Sequence, residues 1–389
     1  MAKELAFVIL NPYTLSKSRT GGVIARYLAR TQLDLVAARM FGPSQELIDR
    51  HAEIMASSNA YSDQTRDLLV DYVRKNLSPD AETDVTKRVM FLLFEGEDAI
   101  QRVWDATGPV ELDAQKSGLR VRDTYGDYIQ DADGKVTYFE PAVLVASTEE
   151  RSRRVLQLWA EYSESCGGIM DGAVSADAAN DQQEKTLVML KPDNFTVPSL
   201  RPGSIVDMLS RSGLTIIGAK LFRMTVSQAE AFYGPVKEVL LDKFEVIGGG
   251  RLAEAIKTEF GFEVDADVLH ELCGKLAPVF ASTEFENITE YMTGYRPSAY
   301  SEEEKDVLGD RKALALVYRG PDAVSKIRHI LGATDPAKAE PGSIRAEFGT
   351  NIRENAAHAS DSPENAEREI GIIRVAEDTI APWVAKYCD

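Results

Sequence analysis

The chain has 389 residues, and at roughly 100–200 residues per domain this length predicts two or three domains, each with its own core. Its 44 lysines and arginines against 62 aspartates and glutamates give a formal net charge of −18. This charge argues against general nucleic-acid binding, which is built from basic side chains. No apolar run approaches the ~20 residues of a membrane helix, no signal-peptide pattern opens the chain, and the three cysteines suggest neither disulfides nor a zinc site. We therefore predict a cytoplasmic protein without a nucleic-acid or membrane partner.

Four short blocks in the first half of the sequence have similar counterparts, in the same order, in the second half. The pairs are Phe7–Pro12 with Leu187–Pro192, Gly22–Arg30 with Gly203–Arg211, Leu33–Phe41 with Leu214–Phe222, and Phe94–Ile100 with Tyr318–Val324. The period is far too long for a solenoid, so we interpret the blocks as two copies of one domain.

Strand-like and helix-like segments alternate within each copy. In chain order they are an apolar strand (Ala6–Leu10; Leu187–Leu190), a Pro-containing loop, an amphipathic helix (around Ile24; around Ile205), a second strand (Leu33–Ala37; Leu214–Gly218), a helix capped by Ser44 or Ser227, a third strand (Val89–Phe94; Leu314–Tyr318) and a helix near Glu97 or Pro321. The order β-α-β-α-β-α predicts an α/β protein, an α+β sandwich of ferredoxin-like type, in each copy.

Composition suggests where the copies join and where the second is enlarged. A Gly-, Ala-, Ser- and Asp-rich stretch over 163–184 is typical of a linker, which gives a first domain over 1–162 and a second over 185–389. Two insertions are predicted in the second domain, a helical one at about 241–284 and a charged one at about 296–311. The glycine triplet Gly248–Gly250 in the first insertion lacks the lysine of a phosphate-binding loop and is interpreted as a hinge.

The segment around His358 has the features of a phosphate-handling site. Ser362 followed by proline marks a helix start, so we expect His358 on a tight turn before a helix N-terminus, where negative charge is favoured. Glu369, further along that helix, could reach back and orient the imidazole, which would make the histidine a nucleophile. Arg328 and Arg345 are cations that could clamp phosphates.

These residues carry a resemblance to a known family. The run Asn355-Ala-Ala-His-Ala-Ser-Asp-Ser362 resembles the N-x-x-H-x-S-D-S signature of nucleoside diphosphate kinases. Further similar stretches are Leu331–Phe348, Lys191-Pro192-Asp193, Gln228–Tyr233 and Ile288–Gly294. The resemblance covers most of residues 185–375 apart from the two insertions.

The resemblance implies an activity and a role for each matching residue. His358 would accept the γ-phosphoryl group of ATP or another nucleoside triphosphate and pass it to a nucleoside diphosphate in ping-pong order. The implied nucleotide-binding residues are Lys191, Tyr233, Arg328, Thr334, Arg345 and Asn355, with Ser360 and Glu369 supporting the histidine. Mg²⁺ would be held by the nucleotide phosphates and not by protein ligands.

The sequence departs from the family pattern at several positions. Ala359 stands where the family usually has glycine, so its methyl group could crowd the site, and Asn194 stands where glycine or alanine is usual. In the first copy Asn11 replaces Lys191, Leu144 takes the place of His358, and Arg120 is the suggested counterpart of Arg345, so we predict that this copy is catalytically inactive. It would pair with the second copy as an intramolecular pseudo-dimer, and further homo-oligomers are possible.

Two alternative functions remain open at this stage. The departures at the site, the insertions and the degenerate first copy also fit a non-catalytic nucleotide-binding or regulatory protein. A histidine-phosphate donor to other proteins would share the same nucleophile.

Overall fold

A computed structural model describes residues 3–110, 117–173 and 183–388 of the chain. The chain forms two compact units, Met1–Phe222 together with Ala313–Asp389, and Arg223–Lys312. We call them the first and the second unit. No helix of the described residues is long and apolar enough to cross a bilayer.

The first copy contains six strands and eight helices within the described residues. They are β1 (Lys3–Leu10), α1 (Pro12–Ser16), α2 (Thr20–Thr31), β2 (Asp34–Phe41), α3 (Gln45–Ala56), α4 (Asp63–Leu77), β3 (Val89–Glu97), α5 (Ala99–Thr107), α6 (Val121–Tyr125), β4 (Asp127–Gln130), β5 (Val136–Glu140), β6 (Val143–Leu144), α7 (Glu149–Glu161) and α8 (Ser163–Cys166). The predicted cap Ser44 accepts a hydrogen bond from Leu47 N at 3.2 Å and starts α3.

The second copy repeats this order with longer helices after its second strand. Its described elements are β7 (Gln183–Leu190), α9 (Arg201–Leu209), β8 (Thr215–Thr225), α10 (Val226–Asp242), α11 (Gly250–Phe260), α12 (Ala266–Thr293), β9 (Leu308–Pro321), α13 (Ala323–Leu331), α14 (Ile344–Phe348), β10 (Ala357–Ala359), α15 (Pro363–Ile373) and α16 (Ala381–Cys388).

Eight strands form one sheet in the order β10-β7-β9-β8-β2-β3-β1-β6, and β4 pairs with β5 in a hairpin of its own. Each half of the large sheet has the same internal order: the fourth strand, then the first, the third and the second. The central pairs are antiparallel, from Lys3↔Glu97 in the first copy and from Gln183↔Pro321 in the second. The α/β class and the ferredoxin-like topology predicted for both copies are therefore confirmed.

The two copies join edge to edge inside the first unit. β2 pairs antiparallel with β8 at Arg39↔Lys220. On one face of the sheet α2 packs against α9, and a Cβ added at either Gly21 or Gly203 would overlap the backbone of the opposite helix. Gly21 is therefore the counterpart of Gly203, and the predicted match of Gly22 with Gly203 is wrong by one residue.

Chain segments also cross from each copy to the other. Arg39 donates to Ser163 O, Ala376 O and Glu377 O, and Lys220 donates to Ile373 O and Arg374 O. After Glu377 the chain continues into α16, which packs against α7 of the first copy. Arg39 on β2 therefore holds the ends of both copies, and Lys220 on β8 holds the end of the second, at the strand pair that joins the copies.

The first part of the predicted linker is folded onto the sheet. Ser163–Cys166 is helical, with Ser163 and Cys166 buried, and Met170 N donates to Ile217 O at 2.8 Å. Residues 174–182 of the predicted linker lie outside the described residues, and its last two residues, Gln183 and Glu184, already belong to β7.

Both faces of the sheet are covered, which explains why its strands are apolar without alternation. Alternate residues of β1 enter different cores: Val8 packs with α2 and with residues of the second copy, while Phe7 packs with α3, α7 and α16. The core that contains Val8 runs through both copies, so neither half of the sheet is packed independently.

The second unit holds the predicted helical insertion. Thr225 caps α10 in a capping box with Gln228, so the prediction of Ser227 as cap was wrong. The triplet Gly248–Gly250 lies in helical structure: Glu245–Gly249 form a π-helical turn that continues into α11. α10 runs along α12, and the rings of Phe244 and Phe280 lie 4.9 Å apart. The predicted charged insertion begins irregularly and ends in β9, which starts at Leu308.

Candidate active site

His358 lies in a short strand at the edge of the sheet. β10 pairs antiparallel with β7, and His358 is opposite Met189. The prediction of a tight turn at His358 was therefore wrong: the turn comes earlier, at Ala356, whose φ is +67°. The predicted helix start is confirmed, since Ser362 Oγ accepts from Asn365 N at 3.1 Å and Pro363 is the first residue of α15. The strand fixes the backbone on which the imidazole is presented.

A carboxylate and a hydroxyl contact each other beside the imidazole. His358 Nε2 lies 2.9 Å from Glu369 Oε2, and Ser360 Oγ donates to the same oxygen at 2.6 Å. Glu369 is 4% exposed and Ser360 is fully buried. An ionised carboxylate accepts but cannot donate, so this contact favours the tautomer with its proton on Nε2 and its lone pair on Nδ1. The arrangement can orient His358 as a nucleophile through Nδ1.

Lys191 and Asn355 form a polar pair beside the turn that leads to His358. Lys191 Nζ donates to Asn355 Oδ1 at 2.7 Å and to Arg353 O at 3.1 Å. Asn355 Nδ2 donates to Thr334 O at 2.9 Å. Burial, with the nearby charge of Arg345 as a second cause, lowers the pKa of Lys191 to about 7. An approaching anion would therefore meet a lysine poised to take up a proton.

Arg345 is held by main-chain oxygens on both sides of the site. Its guanidinium donates to Gly332 O at 2.9 Å and to Ala357 O at 3.0 and 3.3 Å. Burial, and next to it the charge of Arg328, lowers the pKa of Arg345 to about 10, which leaves it charged at neutral pH. Arg328 lies exposed in the last turn of α13. Arg345 therefore lies against Ala357, the residue before His358, and Arg328 lies close enough to act on its charge.

Two residues that the sequence analysis did not assign to the site hold its backbone. Asn194 is buried, and its Nδ2 donates to Ala356 O at 2.7 Å and to Lys191 O at 2.9 Å. Arg201 in turn donates to Asn194 Oδ1 at 2.8 Å and to Asp193 Oδ2 at 2.6 Å. The departure from the family pattern at Asn194 was the only sequence signal, and its meaning depends on the long-range approach of Ala356.

Tyr233 is the one predicted site residue that lies in the second unit. It is on α10, buried, with its ring 4.9 Å from that of Phe232. The other seven predicted residues, and His358 itself, lie in the first unit.

The second half of the chain matches a known family. The family model described as nucleoside diphosphate kinase matches residues 184–243 and 282–378. A nucleoside diphosphate kinase of Symbiobacterium thermophilum is 30% identical over 187 residues, which are 48% of this chain and 84% of that protein. One of Halalkalibacterium halodurans is 32% identical over 189 residues, 49% of this chain and 87% of that protein.

The chain belongs to the nucleoside diphosphate kinase family, a family of phosphotransferases. Among solved structures, an NDP kinase from Pyrobaculum aerophilum is 25% identical and covers 50% of this chain and 100% of its own, with a TM-score of 0.34. The family model leaves residues 244–281 unmatched, a gap that overlaps the insertion predicted at 241–284, whereas residues 296–311 fall inside a matched range.

Ala359 fits the site without backbone strain. Among the described non-glycine residues, Ala356 has a positive φ and Ala359 does not. Ala359 lies in β10 and pairs with Val188. A strand backbone accepts any side chain with a Cβ, so the departure from glycine at this position requires no rearrangement of the turn.

The first copy of this kinase family member retains the backbone of the site without its chemistry. Leu144 is opposite Ile9 in the sheet, the position that His358 holds opposite Met189. Val155 follows its helix cap by the same number of residues as Glu369, and Ala146 corresponds to Ser360. All three replacements, Leu144, Ala146 and Val155, are apolar and buried in one core cluster. This cluster has no group that can accept a phosphoryl group.

The counterpart of Lys191 in the first copy is part of a closed hydrogen-bond network. Asn11 N donates to Ala142 O as Lys191 N does to Ala356 O. Asn11 Nδ2 then donates to Glu140 Oε1 at 3.3 Å, and Tyr72 Oη donates to Glu140 Oε2 at 2.7 Å. Burial raises the pKa of Glu140. A buried carboxyl group therefore stands near the place where the second copy has its cations.

The sequence analysis chose the wrong arginine in the first copy. Arg122 donates to Gly108 O and Val143 O, as Arg345 does to Gly332 O and Ala357 O, and it also donates to Pro141 O. Arg120, the predicted counterpart, instead pairs with Asp123 at 3.3 Å. The error arose because the loop before α6 has no motif that fixes its alignment.

Proposed function

We propose that the chain is a nucleoside diphosphate kinase that transfers the γ-phosphoryl group of a nucleoside triphosphate to a nucleoside diphosphate through a phosphohistidine on His358. The observation that carries the proposal is the contact of His358 Nε2 with Glu369 Oε2 at 2.9 Å. Family membership supports the same activity.

The transfer step follows from the tautomer. Nδ1 attacks the γ-phosphorus, the N–P bond forms, and the bond from phosphorus to the bridging oxygen breaks, with its electron pair leaving on the nucleoside diphosphate. The Nε2 proton stays between the imidazole and Glu369, whose charge stabilises the cationic ring. A second nucleoside diphosphate reverses the sequence and recovers neutral His358.

The cations of the site would bind the phosphates. Lys191, Arg328 and Arg345 supply charge, and Asn355 and Thr334 supply polar contacts, so we assign them to the phosphate and ribose end of the nucleotide. Tyr233 is assigned to the nucleotide on the family resemblance alone. We also propose the cytoplasm as the location of this activity.

Mg²⁺ fits the site as a companion of the nucleotide. Within 3–110, 117–173 and 183–388, no three His, Cys, Asp or Glu side chains are grouped to hold a metal ion. The proposed phosphate ligands are cationic or neutral, so phosphate oxygens would be the principal ligands. When bound there, Mg²⁺ neutralises phosphate charge.

The test is incubation of purified protein with γ-³²P-ATP and Mg²⁺, with His358→Ala beside the wild type. We expect an acid-labile label on the wild type, its transfer to added GDP, and no label on the variant. Nucleotide binding measured by calorimetry without any labelling would refute the kinase and leave a nucleotide-binding protein. Label that persists in His358→Ala would refute the assignment of the nucleophile.

A further inference from the structure

A polar cavity of about 100 Å³ lies between the two copies inside the first unit. Its wall includes Thr20 and Arg88 of the first copy, and Thr215 and Tyr318 of the second. None of the described residues that line it is acidic. The cavity is separate from the site around His358, since none of the predicted site residues lines it.

Arg88 brings a positive charge to this cavity without a counter-ion. In the described part of the chain, its guanidinium makes one hydrogen bond, to Ile216 O, and forms no ion pair with a carboxylate. Burial lowers the pKa of Arg88 to about 10, so the side chain remains charged at neutral pH. Its remaining N–H groups can donate to a ligand, because a guanidinium carries five donors.

Two buried hydroxyls in the wall also lack partners. Thr20 is 3% and Tyr318 is 1% exposed. Neither Thr20 Oγ1 nor Tyr318 Oη has a hydrogen-bond partner among the described residues. Buried polar groups in native proteins are nearly always paired with protein, water or ligand. Water could satisfy the hydroxyls, but it would not balance the charge of Arg88.

We propose that this cavity binds a small tetrahedral oxyanion of the phosphate class, with Arg88 neutralising its charge and the hydroxyls of Thr20 and Tyr318 donating to its oxygens. The volume is well above the ~10–15 Å³ of such space that a single water needs, so the cavity has room for an anion larger than one water. Because the wall comes from both copies, the bound anion stabilises their association, and stability rises with anion concentration.

The test is a titration with inorganic phosphate at constant ionic strength, in which the melting temperature and the heat of binding are measured. The variants are Arg88→Gln and Tyr318→Phe, with Lys191→Met as the reference that removes a cation of the His358 site. We expect the response to persist in Lys191→Met, to weaken at least tenfold in Arg88→Gln, and to weaken severalfold in Tyr318→Phe. In phosphate-free buffer, Arg88→Gln should be at least as stable as the wild type, because it removes a partly buried charge that no carboxylate balances.

Two results would overturn the proposal: an Arg88→Gln variant that binds phosphate like the wild type, or loss of the whole response in Lys191→Met. If Arg88→Gln does not fold, Tyr318→Phe decides, since it removes only a hydroxyl, and an unchanged affinity would then reject the site. AMP titrated into Lys191→Met separates the two sources of phosphate. If AMP does not compete with inorganic phosphate, the cavity binds the free anion. If AMP does compete, the cavity binds a phosphate ester.

Discussion

Proton uptake at Lys191 should accompany nucleotide binding. Burial holds the pKa of this lysine at about 7 in the free protein, against an ordinary value of 10.5. A bound phosphate favours the charged amine and returns the pKa towards its ordinary value. At pH 8 the free lysine is then protonated to about one tenth, so binding should take up about 0.9 proton, compared with about 0.1 proton at pH 6.

The sign of the pH dependence follows from this uptake. Because the complex binds more protons than the free protein between about pH 7 and 10, affinity for ADP falls as pH rises through that window. From pH 6 to pH 9 the loss should be about a hundredfold. Isothermal titration calorimetry of ADP in buffers of different ionisation enthalpy measures the proton number directly.

Two variants make the assay specific. Lys191→Arg keeps a cation that does not titrate in this range. Subtracting its proton uptake from that of the wild type therefore removes the contribution of the nucleotide's own ionisation. Lys185→Arg is the matched control on the same strand, where Lys185 pairs with Asp171 at 2.8 Å. Uptake below about 0.2 proton in the wild type at pH 8, or equal uptake in Lys191→Arg, would refute the reasoning.

Three further outcomes are expected. Glu369→Gln keeps an acceptor near His358 but loses its charge, so steady-state kinase assays should show kcat about 10–100-fold lower with KM unchanged; a change in KM alone would contradict the positioning role. Gly203→Ala should lower the urea-unfolding free energy by about 1–3 kcal/mol because its methyl overlaps the opposite helix, whereas the control Gly371→Ala, in open space, should not. Burial lowers the pKa of His51 to about 4, so the unfolded state binds more protons between pH 4 and 6.5 and stability falls as pH falls there, by up to about 3 kcal/mol; His51→Gln should flatten this slope, and an unchanged slope would refute the assignment.

The local parts of the site could be predicted because their residues are close in sequence. Ser362 and Pro363 define where α15 begins, and Glu369 then follows at the distance along the helix that lets it return to His358. The strand β10 could not be predicted in the same way, because Ala357–Ala359 become a strand only by pairing with β7. A three-residue strand carries no periodicity of its own.

Long-range contacts account for the other errors. Arg122 and Arg120 are equally plausible in sequence, and only the approach of Gly108 O and Val143 O selects Arg122. The role of Asn194 likewise depends on Ala356, which is far along the chain. Sheet topology was predictable from the order of apolar segments, whereas contacts between loops depend on register, which the sequence pattern does not specify.

The two copies act as an internal comparison of what the fold needs and what the chemistry needs. The positive φ of Ala356 recurs at Ala142, and the main-chain contacts of Arg345 recur at Arg122, although the first copy has lost the counterparts of His358. A feature that both copies share, although the first has no histidine at this position, serves the backbone. Arg345 therefore contributes to the fold even if it also binds phosphate, since it bridges Gly332 and Ala357 before any ligand arrives. Positions where the first copy has a different residue are those that the fold does not require, and His358 and Glu369 are among them.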